Sequence, residues 1–224
     1  LTKLIKMSTV AENVALHLLK IKAIKLEPTH PFTWASGWKS PIYCDNRKTL
    51  SYPEVRAYIR DQFAAVVREK YPDAEVIAGV ATGAIAQGVL VAQELNLPFI
   101  YVRSSAKSHG LENLIEGDYK AGQKVVVVED LISTGGSSLQ AVEALRNAGC
   151  EVLGMTAIFT YGFQKAVDNF EAAHCELTTL SNYSAMIDLA LKTGYIQESD
   201  VDKLKEWRKR SEERRVGKEC RSRW

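Results

Sequence analysis

The chain has 224 residues and a formal net charge of +2, with 46% hydrophobic and 25% charged residues, as is ordinary for a soluble globular protein. No apolar run approaches the ~18–20 residues of a membrane span, so we expect no membrane partner. With roughly 150 residues per domain as a guide, the length predicts one domain, with or without a small appendage.

Both ends are expected to lie outside the native domain, which is predicted at 7–209. The chain opens on Leu1, and Met7 is a plausible start, so 1–6 is an expected upstream extension. Residues 210–224 read like translated sequencing-adapter DNA and are expected to be a non-native tail; a genuine solvated basic tail is the alternative. Residues 210–224 carry a net charge of +3, whereas the whole chain carries +2, so the remaining residues carry −1. The basic character therefore belongs to the tail, and we expect no nucleic-acid partner.

The cellular compartment is indicated by the N-terminus and the cysteines. Lys3, Lys6 and Glu12 interrupt the start of the chain, so a secretory signal is not expected. The four cysteines show no C-x-x-C pair and no metal-ligand spacing, which favours free thiols in a reducing cytoplasm. We therefore expect a cytoplasmic protein with no metal site of its own.

The N-terminal part of the chain is predicted to contain a helix followed by a pair of short strands. Apolar residues recur at helical spacing through 8–24, and Thr9 with Glu12 has the spacing of a capping box. Residues 32–47 read FTWASGWKSPIYCDNR and predict two short strands, 32–34 and 41–44, joined by a turn.

This aromatic segment allows two interpretations. It is either a hairpin packed on the core or a cover over a flat, anionic ring. In the second case aromatic rings stack on the ligand while Lys39 and Arg47 offer charge.

A βαβ unit is predicted next. The chain gives a helix, a strand, a second helix and a second strand at 53–70, 75–80, 84–95 and 98–102. Such a unit implies parallel strands with a right-handed crossover. The turn at Gly83 would then lie at the carboxyl edge of the sheet, where α/β folds bind ligands, although a plain βα turn is the alternative.

Residues 103–122 are polar and lack periodicity. Nearly twenty residues without an obvious element usually form a functional lid or are disordered. Arg103, Lys107 and His109 are spaced to clamp a polyanion, because Arg grips phosphate oxygens bidentately and Lys or protonated His adds charge. The alternative for each is a solvated surface charge.

The organising motif is VVVVEDLISTGGSS at 125–138. Four valines predict a strand buried on both faces, and Glu129 and Asp130 stand where it is expected to end. The glycines let N–H groups approach an anion, and the following helix adds about half a unit of positive charge at its N-terminus. Carboxylates accept hydrogen bonds from hydroxyls, such as those of ribose. An ordinary βα turn with a solvated acidic pair is the alternative.

The motif is neither a Walker A loop nor a dinucleotide fingerprint, because neither glycine pattern is present. Beyond it, strands are predicted at 150–159 and 175–179, and helices at 163–170, 183–191 and 198–208.

The motif resembles the phosphoribosyl diphosphate (PRPP) site of type I phosphoribosyltransferases. The aromatic segment, the R-x-x-x-K-x-H-G spacing from Arg103 and the C-terminal N-Y-x-x-x-I pattern are similar to orotate phosphoribosyltransferases over nearly all of 7–209. The resemblance implies an α/β type I phosphoribosyltransferase fold: a central, mostly parallel sheet flanked by helices, with a small N-terminal hood from about 8–50.

The resemblance also implies a reaction: 5-phosphoribosyl transfer from PRPP to orotate, giving orotidine 5′-monophosphate and diphosphate in pyrimidine biosynthesis. It implies Mg²⁺ carried with PRPP and a homodimer with shared active sites. Implied PRPP contacts are Arg103, Lys107, His109, Glu129, Asp130, Leu131, Ile132, Ser133, Thr134, Gly135, Gly136 and Ser137. Implied orotate contacts are Ser133, Tyr43 and Lys39, and implied catalytic residues are Lys107, His109 and Asp130.

The chain departs from the family pattern at several positions. Many relatives have Lys in place of Ala35, some have Lys in place of Gly83, and a basic residue is often found in place of Ser104. Two other functions stay open: a phosphoribosyltransferase for another base, and a PRPP-sensing regulator without enzymatic activity.

Overall fold

The computed structural model describes residues 9–33, 37, 39–103 and 114–221. Its N-terminal part contains α1 (Val10–Lys20), β1 (Ile24–Leu26), β2 (Phe32–Thr33), β3 (Lys39–Ser40) and β4 (Ile42–Cys44). The capping box is confirmed, because the Glu12 N–H donates to Thr9 Oγ1 and the Thr9 N–H donates to the Glu12 carboxylate. β1 pairs with β4 and β2 pairs with β3, both antiparallel.

Two predictions for this part were wrong. The helix ends at Lys20 rather than at residue 24, because Lys22 adopts a φ of 55° and the next residues pair as β1. The predicted strand at 41–44 does not pair with 32–34. Instead Pro41, which lacks an N–H, separates β3 from β4, so that β2 pairs with β3 and β4 pairs with β1.

The central sheet has six strands: β5 (Val76–Val80), β6 (Phe99–Val102), β7 (Ile115–Glu116), β8 (Lys124–Ile132), β9 (Glu151–Thr160) and β10 (Leu177–Asn182). Their order is β10-β9-β8-β5-β6-β7, and every neighbouring pair is parallel except β6 and β7. The predicted mostly parallel α/β sheet is confirmed. Because the strands are parallel, the carboxyl ends of β5, β6 and β8 lie at one edge.

Helices cover both faces of this sheet. They are a 3₁₀ helix (Asn46–Ser51), α2 (Pro53–Lys70), α3 (Ile85–Leu95), α4 (Gly136–Asn147), α5 (Gln164–Ala172), α6 (Tyr183–Lys192) and α7 (Glu198–Arg221). One apolar cluster packs α1, α2, α3, α6 and α7 on one face, and a second packs α4 and α5 on the other.

The four valines of β8 connect the two clusters. All four side chains are fully buried, as predicted. Val126 and Val128 belong to the cluster with α2 and α3, whereas Val125 and Val127 belong to the cluster with α4 and α5. This alternation fixes which face each later residue of the strand meets, because successive strand side chains point to opposite faces.

Three predicted boundaries in the second half differ from the structure. β8 does not end at the acidic pair but runs on to Ile132, because β9 continues to pair with it up to Thr160. β10 occupies Leu177–Asn182 instead of 175–179, since its register follows β9. α7 extends past residue 208 to Arg221.

None of the helices within the described ranges combines the length and apolar character needed to cross a bilayer. Cys44, Cys150 and Cys175, the cysteines whose side chains are described, are free thiols.

Candidate active site

The turn after β8 has the backbone of an anion-binding site. Gly135 is the N-cap of α4 and has a φ of 79°, a conformation that favours glycine. A Cβ atom at Gly135 would lie 2.5 Å from Phe170 Cε2, so a side chain is also excluded by packing. Because the N-cap is a glycine, no side chain of that residue covers the first N–H groups of α4, which stay available to an anion.

The side chains of this turn divide into two groups. Leu131 packs against the core and Ile132 is fully buried, so these two residues can offer a ligand only their backbone. Gly136 and Ser137 are exposed, and Thr134 is half-buried. Ser133 Oγ is buried and has no hydrogen-bond partner among the described residues. A buried hydroxyl without a partner is costly in a folded protein unless a ligand or water completes it.

Glu129 is the buried member of the acidic pair, with 5% of its surface exposed. Its Oε1 accepts a hydrogen bond from the Asp130 N–H at 2.9 Å, and its Oε2 accepts one from Ser138 Oγ at 2.8 Å. Burial, followed by the negative charge of Asp130, raises the pKa of Glu129 to about 8. The carboxyl group therefore holds its proton at neutral pH in the folded protein.

Asp130 points to the opposite face of β8 and meets the turn after β5. A Cβ atom at Gly83 would lie 2.5 Å from Asp130 Oδ2, much closer than van der Waals contact. The structure thus brings together the Gly83 turn and the acidic motif, which follow or end the neighbouring parallel strands β5 and β8. The two carboxyl groups have different neighbours, because successive side chains of a strand point to opposite faces. Glu129 contacts Ser138 of α4, whereas Asp130 contacts the Gly83 turn.

Asn46, in the 3₁₀ helix after β4, ties the N-terminal part to this motif. Its Nδ2 donates to the Asp130 carbonyl oxygen at 2.6 Å, and its Oδ1 accepts from Cys44 Sγ at 3.3 Å. Asn46 is 2% exposed, and burial raises the pKa of the Cys44 thiol well above its usual range. Asn46 was not predicted as a site residue, because nothing in its sequence spacing indicates a contact with a residue 84 positions away.

Asn169, on α5, is a second amide that the sequence pattern does not indicate. Its Nδ2 donates to the Thr134 carbonyl oxygen at 2.8 Å. Ser138, the donor to Glu129, was not among the predicted site residues, although it is the last residue of the predicted motif and lies in the first turn of α4.

The predicted orotate-binding residues Lys39 and Tyr43 lie on the small strands β3 and β4. Lys39 Nζ donates to Thr33 Oγ1 at 2.6 Å, and the Lys39 carbonyl accepts from Trp207 Nε1 at 3.2 Å. The Tyr43 ring is 41% exposed and lies 5.7 Å from the Phe32 ring, measured between centroids. An exposed aromatic ring offers a face on which a flat ligand can stack.

Of the three predicted phosphate-binding cations, the structure describes only Arg103. Arg103 follows β6 directly, and its Nη1 lies 3.4 Å from Glu116 Oε1 of β7. This ion pair is partly exposed, so it is weak and can rearrange when an anion binds. Lys107 and His109 lie outside the described residues. Within the described ranges, no three His, Cys, Asp or Glu side chains form a metal-binding group.

Comparison with known proteins identifies the family. A family model for the phosphoribosyl transferase domain matches residues 50–193. The orotate phosphoribosyltransferase of Phocaeicola vulgatus is 64% identical over 203 residues, covering 91% of this chain and 96% of the relative. The chain belongs to the orotate phosphoribosyltransferase family.

Two further comparisons agree with this family. The orotate phosphoribosyltransferase of Porphyromonas gingivalis is 62% identical over 206 residues, covering 92% of this chain and 98% of the relative. The crystal structure of orotate phosphoribosyltransferase from Aeropyrum pernix is 27% identical, with a TM-score of 0.71 over 82% of this chain and 99% of that chain. The predicted type I phosphoribosyltransferase fold is therefore confirmed.

Gly83→Ala tests the contact with Asp130. The added methyl group has no room, so it should displace the Asp130 carboxyl group. We expect kcat/KM for the family's phosphoribosyl transfer to fall about 10²-fold, the order of loss caused by small misplacements in active sites. Ala86→Ser, at an exposed position on the following helix, is the control. A Gly83→Ala enzyme with normal kcat/KM would show that the contact is not needed.

Glu129→Gln tests the buried proton. The folded pKa of about 8 exceeds the ordinary 4.5, so the folded state keeps a proton that the unfolded state loses. Glu129 thus contributes stability below pH 4.5 that is lost as the pH rises to about 8. Because glutamine does not titrate, the free energy of unfolding of the variant relative to wild type should increase from pH 5 to 8.

The slope of this increase should be at most about 1.4 kcal/mol per pH unit. Urea unfolding at each pH measures it, with Glu143→Gln, an exposed position on α4, as control. Parallel pH curves for wild type and Glu129→Gln would contradict the prediction.

Proposed function

We propose that the protein transfers the 5-phosphoribosyl group from PRPP to N1 of orotate, yielding orotidine 5′-monophosphate and diphosphate in pyrimidine biosynthesis. The observation that carries this proposal is the anion-binding turn at the start of α4, with Asp130 beside it against the Gly83 turn. The 64% identity to a protein named orotate phosphoribosyltransferase supports orotate as the acceptor base.

The turn from Leu131 to Ser137 would hold the 5′-phosphate of PRPP through its N–H groups and the hydroxyls of Thr134 and Ser137. The dipole of α4 and the N–H groups at its start favour a doubly charged anion there. Ser133 Oγ, buried and without a partner among the described residues, would donate to orotate or PRPP. Ligand binding would thereby give this buried hydroxyl a hydrogen-bond partner.

Asp130 would accept hydrogen bonds from the ribose hydroxyls and stabilise positive charge near C1. As the bond between C1 and the diphosphate oxygen breaks, the electron pair leaves with diphosphate, and the ribose acquires oxocarbenium character as in glycoside transfer. Orotate N1 then forms the new bond to C1 and loses its proton, which the departing diphosphate would accept. Each Glu129 oxygen already accepts one hydrogen bond, but a carboxyl oxygen has a second lone pair, so Glu129 also stays a candidate ribose contact.

The positive charges of Arg103, Lys107 and His109 would neutralise the diphosphate as it departs. Lys107 or His109, in its protonated form, would assist the release of diphosphate. Removing such a group typically costs 10²–10³-fold in rate. Lys39 and Tyr43 would contact orotate, the first through charge and the second through its exposed ring. Closure of the segment that carries Lys107 would exclude water that otherwise hydrolyses PRPP.

Mg²⁺ would enter with PRPP. The described residues supply carboxylate oxygens at Asp130 but no three-residue metal cage, so the diphosphate and ribose oxygens of PRPP would be the main ligands. The ion would supply charge neutralisation on the diphosphate. The free thiols of Cys44, Cys150 and Cys175 favour the cytoplasm as the compartment.

The direct test follows orotate absorbance in the ultraviolet. Purified protein should consume orotate only when PRPP and Mg²⁺ are both present, and EDTA should abolish consumption. Hypoxanthine, adenine and xanthine should release no diphosphate from PRPP, which separates orotate from other bases. Unchanged orotate absorbance with well-folded protein, or diphosphate release with a purine only, would refute the proposal.

We also propose a homodimer in which the segment carrying Lys107 completes the partner's site; a two-fold dimer is the commonest oligomer. Lys107→Ala and Asp130→Asn chains should each be inactive. In a random mixture half of the dimers contain both chains, and one of their two sites is intact, so about a quarter of wild-type activity should return.

Differently tagged chains allow the mixed dimers to be isolated before the assay. Lys120→Ala, at an exposed lysine after the same segment, is the control and should be active alone. Mixed dimers without activity would show that each chain completes its own site.

A further inference from the structure

Helix α5 supports the anion-binding turn at two adjacent points. The Phe170 ring lies behind Gly135, where a Cβ atom would be 2.5 Å from Cε2. One residue earlier, Asn169 Nδ2 donates to the Thr134 carbonyl oxygen at 2.8 Å. Phe170 is 4% exposed and packs in the apolar cluster beside α4, so the helix is fixed relative to the turn. A fixed helix holds its amide donor at a constant place.

The Thr134 carbonyl matters because of the peptide bond that follows it. This peptide is trans, since the cis bond in the described chain is between Ala81 and Thr82. In a planar trans peptide the C=O and N–H groups point in opposite directions. Asn169 draws the Thr134 C=O toward α5, and the Gly135 N–H is therefore directed away from α5, toward the open side of the turn.

The same contact also changes the charge that an anion meets. A carbonyl oxygen carries partial negative charge and would repel a phosphate if it rotated into the turn. The conformation at Gly135, with its φ of 79°, offers little resistance to such rotation, because glycine populates many backbone states. A hydrogen bond from a neutral amide holds the oxygen outward without adding a competing charge.

We propose that Asn169 is a positioning residue for the 5′-phosphate of PRPP, acting through the Thr134–Gly135 peptide. The inference rests on the proposed function, because it assigns the ligand of this turn. It predicts a selective effect: loss of the Asn169 donor weakens binding of the ribose phosphate and leaves orotate binding unchanged. A residue that only stabilised α5 would change the thermal midpoint without this selectivity.

Two variants remove the donor while keeping the side-chain size. Asn169→Asp replaces the amide with a carboxylate that cannot donate, and Asn169→Leu replaces it with an apolar side chain. Gln164→Leu is the matched control, because Gln164 Nε2 makes a similar 2.9 Å hydrogen bond on the same helix, to Asp168 Oδ1 rather than to the turn.

Titration calorimetry with ribose 5-phosphate measures the phosphate site without turnover. We expect Kd for ribose 5-phosphate and KM for PRPP to rise about five- to tenfold in Asn169→Leu, the size of one lost hydrogen bond. The rise should be at least as large in Asn169→Asp, because the added carboxylate also repels a phosphate. KM for orotate should stay within about twofold of wild type, because Lys39, Tyr43 and Ser133, the residues proposed to contact orotate, lie outside the Thr134–Gly135 peptide. Gln164→Leu should match wild type in all three constants.

Either of two results would overturn the inference alone. One is unchanged Kd for ribose 5-phosphate in folded Asn169 variants of an active wild-type enzyme. The other is an equal rise in the KM values for orotate and PRPP. A wild-type protein that neither binds ribose 5-phosphate nor consumes orotate would instead overturn the proposed function, and the inference with it.

Discussion

The close approach of Gly83 to the Asp130 carboxyl group is the constraint on which the arrangement of the candidate site depends. β8 runs four residues beyond Val128, the last of its residues that pairs with β5, and so carries Asp130 past the end of its neighbour. The turn after β5 closes over that extension, and only a glycine leaves room for the carboxyl group. The turn at the start of α4 follows at once, so the position of Asp130 relative to that turn is fixed by the backbone between them.

The features that the sequence predicted are those that depend on neighbouring residues. Four consecutive valines require apolar cover on both sides, and both apolar clusters provide it. Thr9 and Glu12 are close enough in sequence to form their capping box without help from the rest of the chain. The glycine at the start of α4 is predicted for the same reason, because the backbone conformation it permits is a local property.

The features that the sequence did not predict depend on distant partners. The end of β8 is set by the length of β9, and the partner of β4 is β1 rather than the nearer β2. Asn46 and Asn169 contact the motif across 84 and 35 residues, and asparagine is common in turns and on exposed helix faces, so neither shows a pattern. The different environments of Glu129 and Asp130 likewise follow from the packing of α4 and of the Gly83 turn.

The hydrogen bond from Trp207 to the Lys39 carbonyl has a consequence for how the protein is made. It joins α7 to β3 across 168 positions, and Trp207 also lies among the rings of Tyr161, Phe163 and Tyr183. A ribosome adds roughly 5–20 residues per second, so β3 leaves it about 10–30 seconds before this support exists. β3 therefore receives its contact from α7 among the last during synthesis, after every strand of the central sheet has been made.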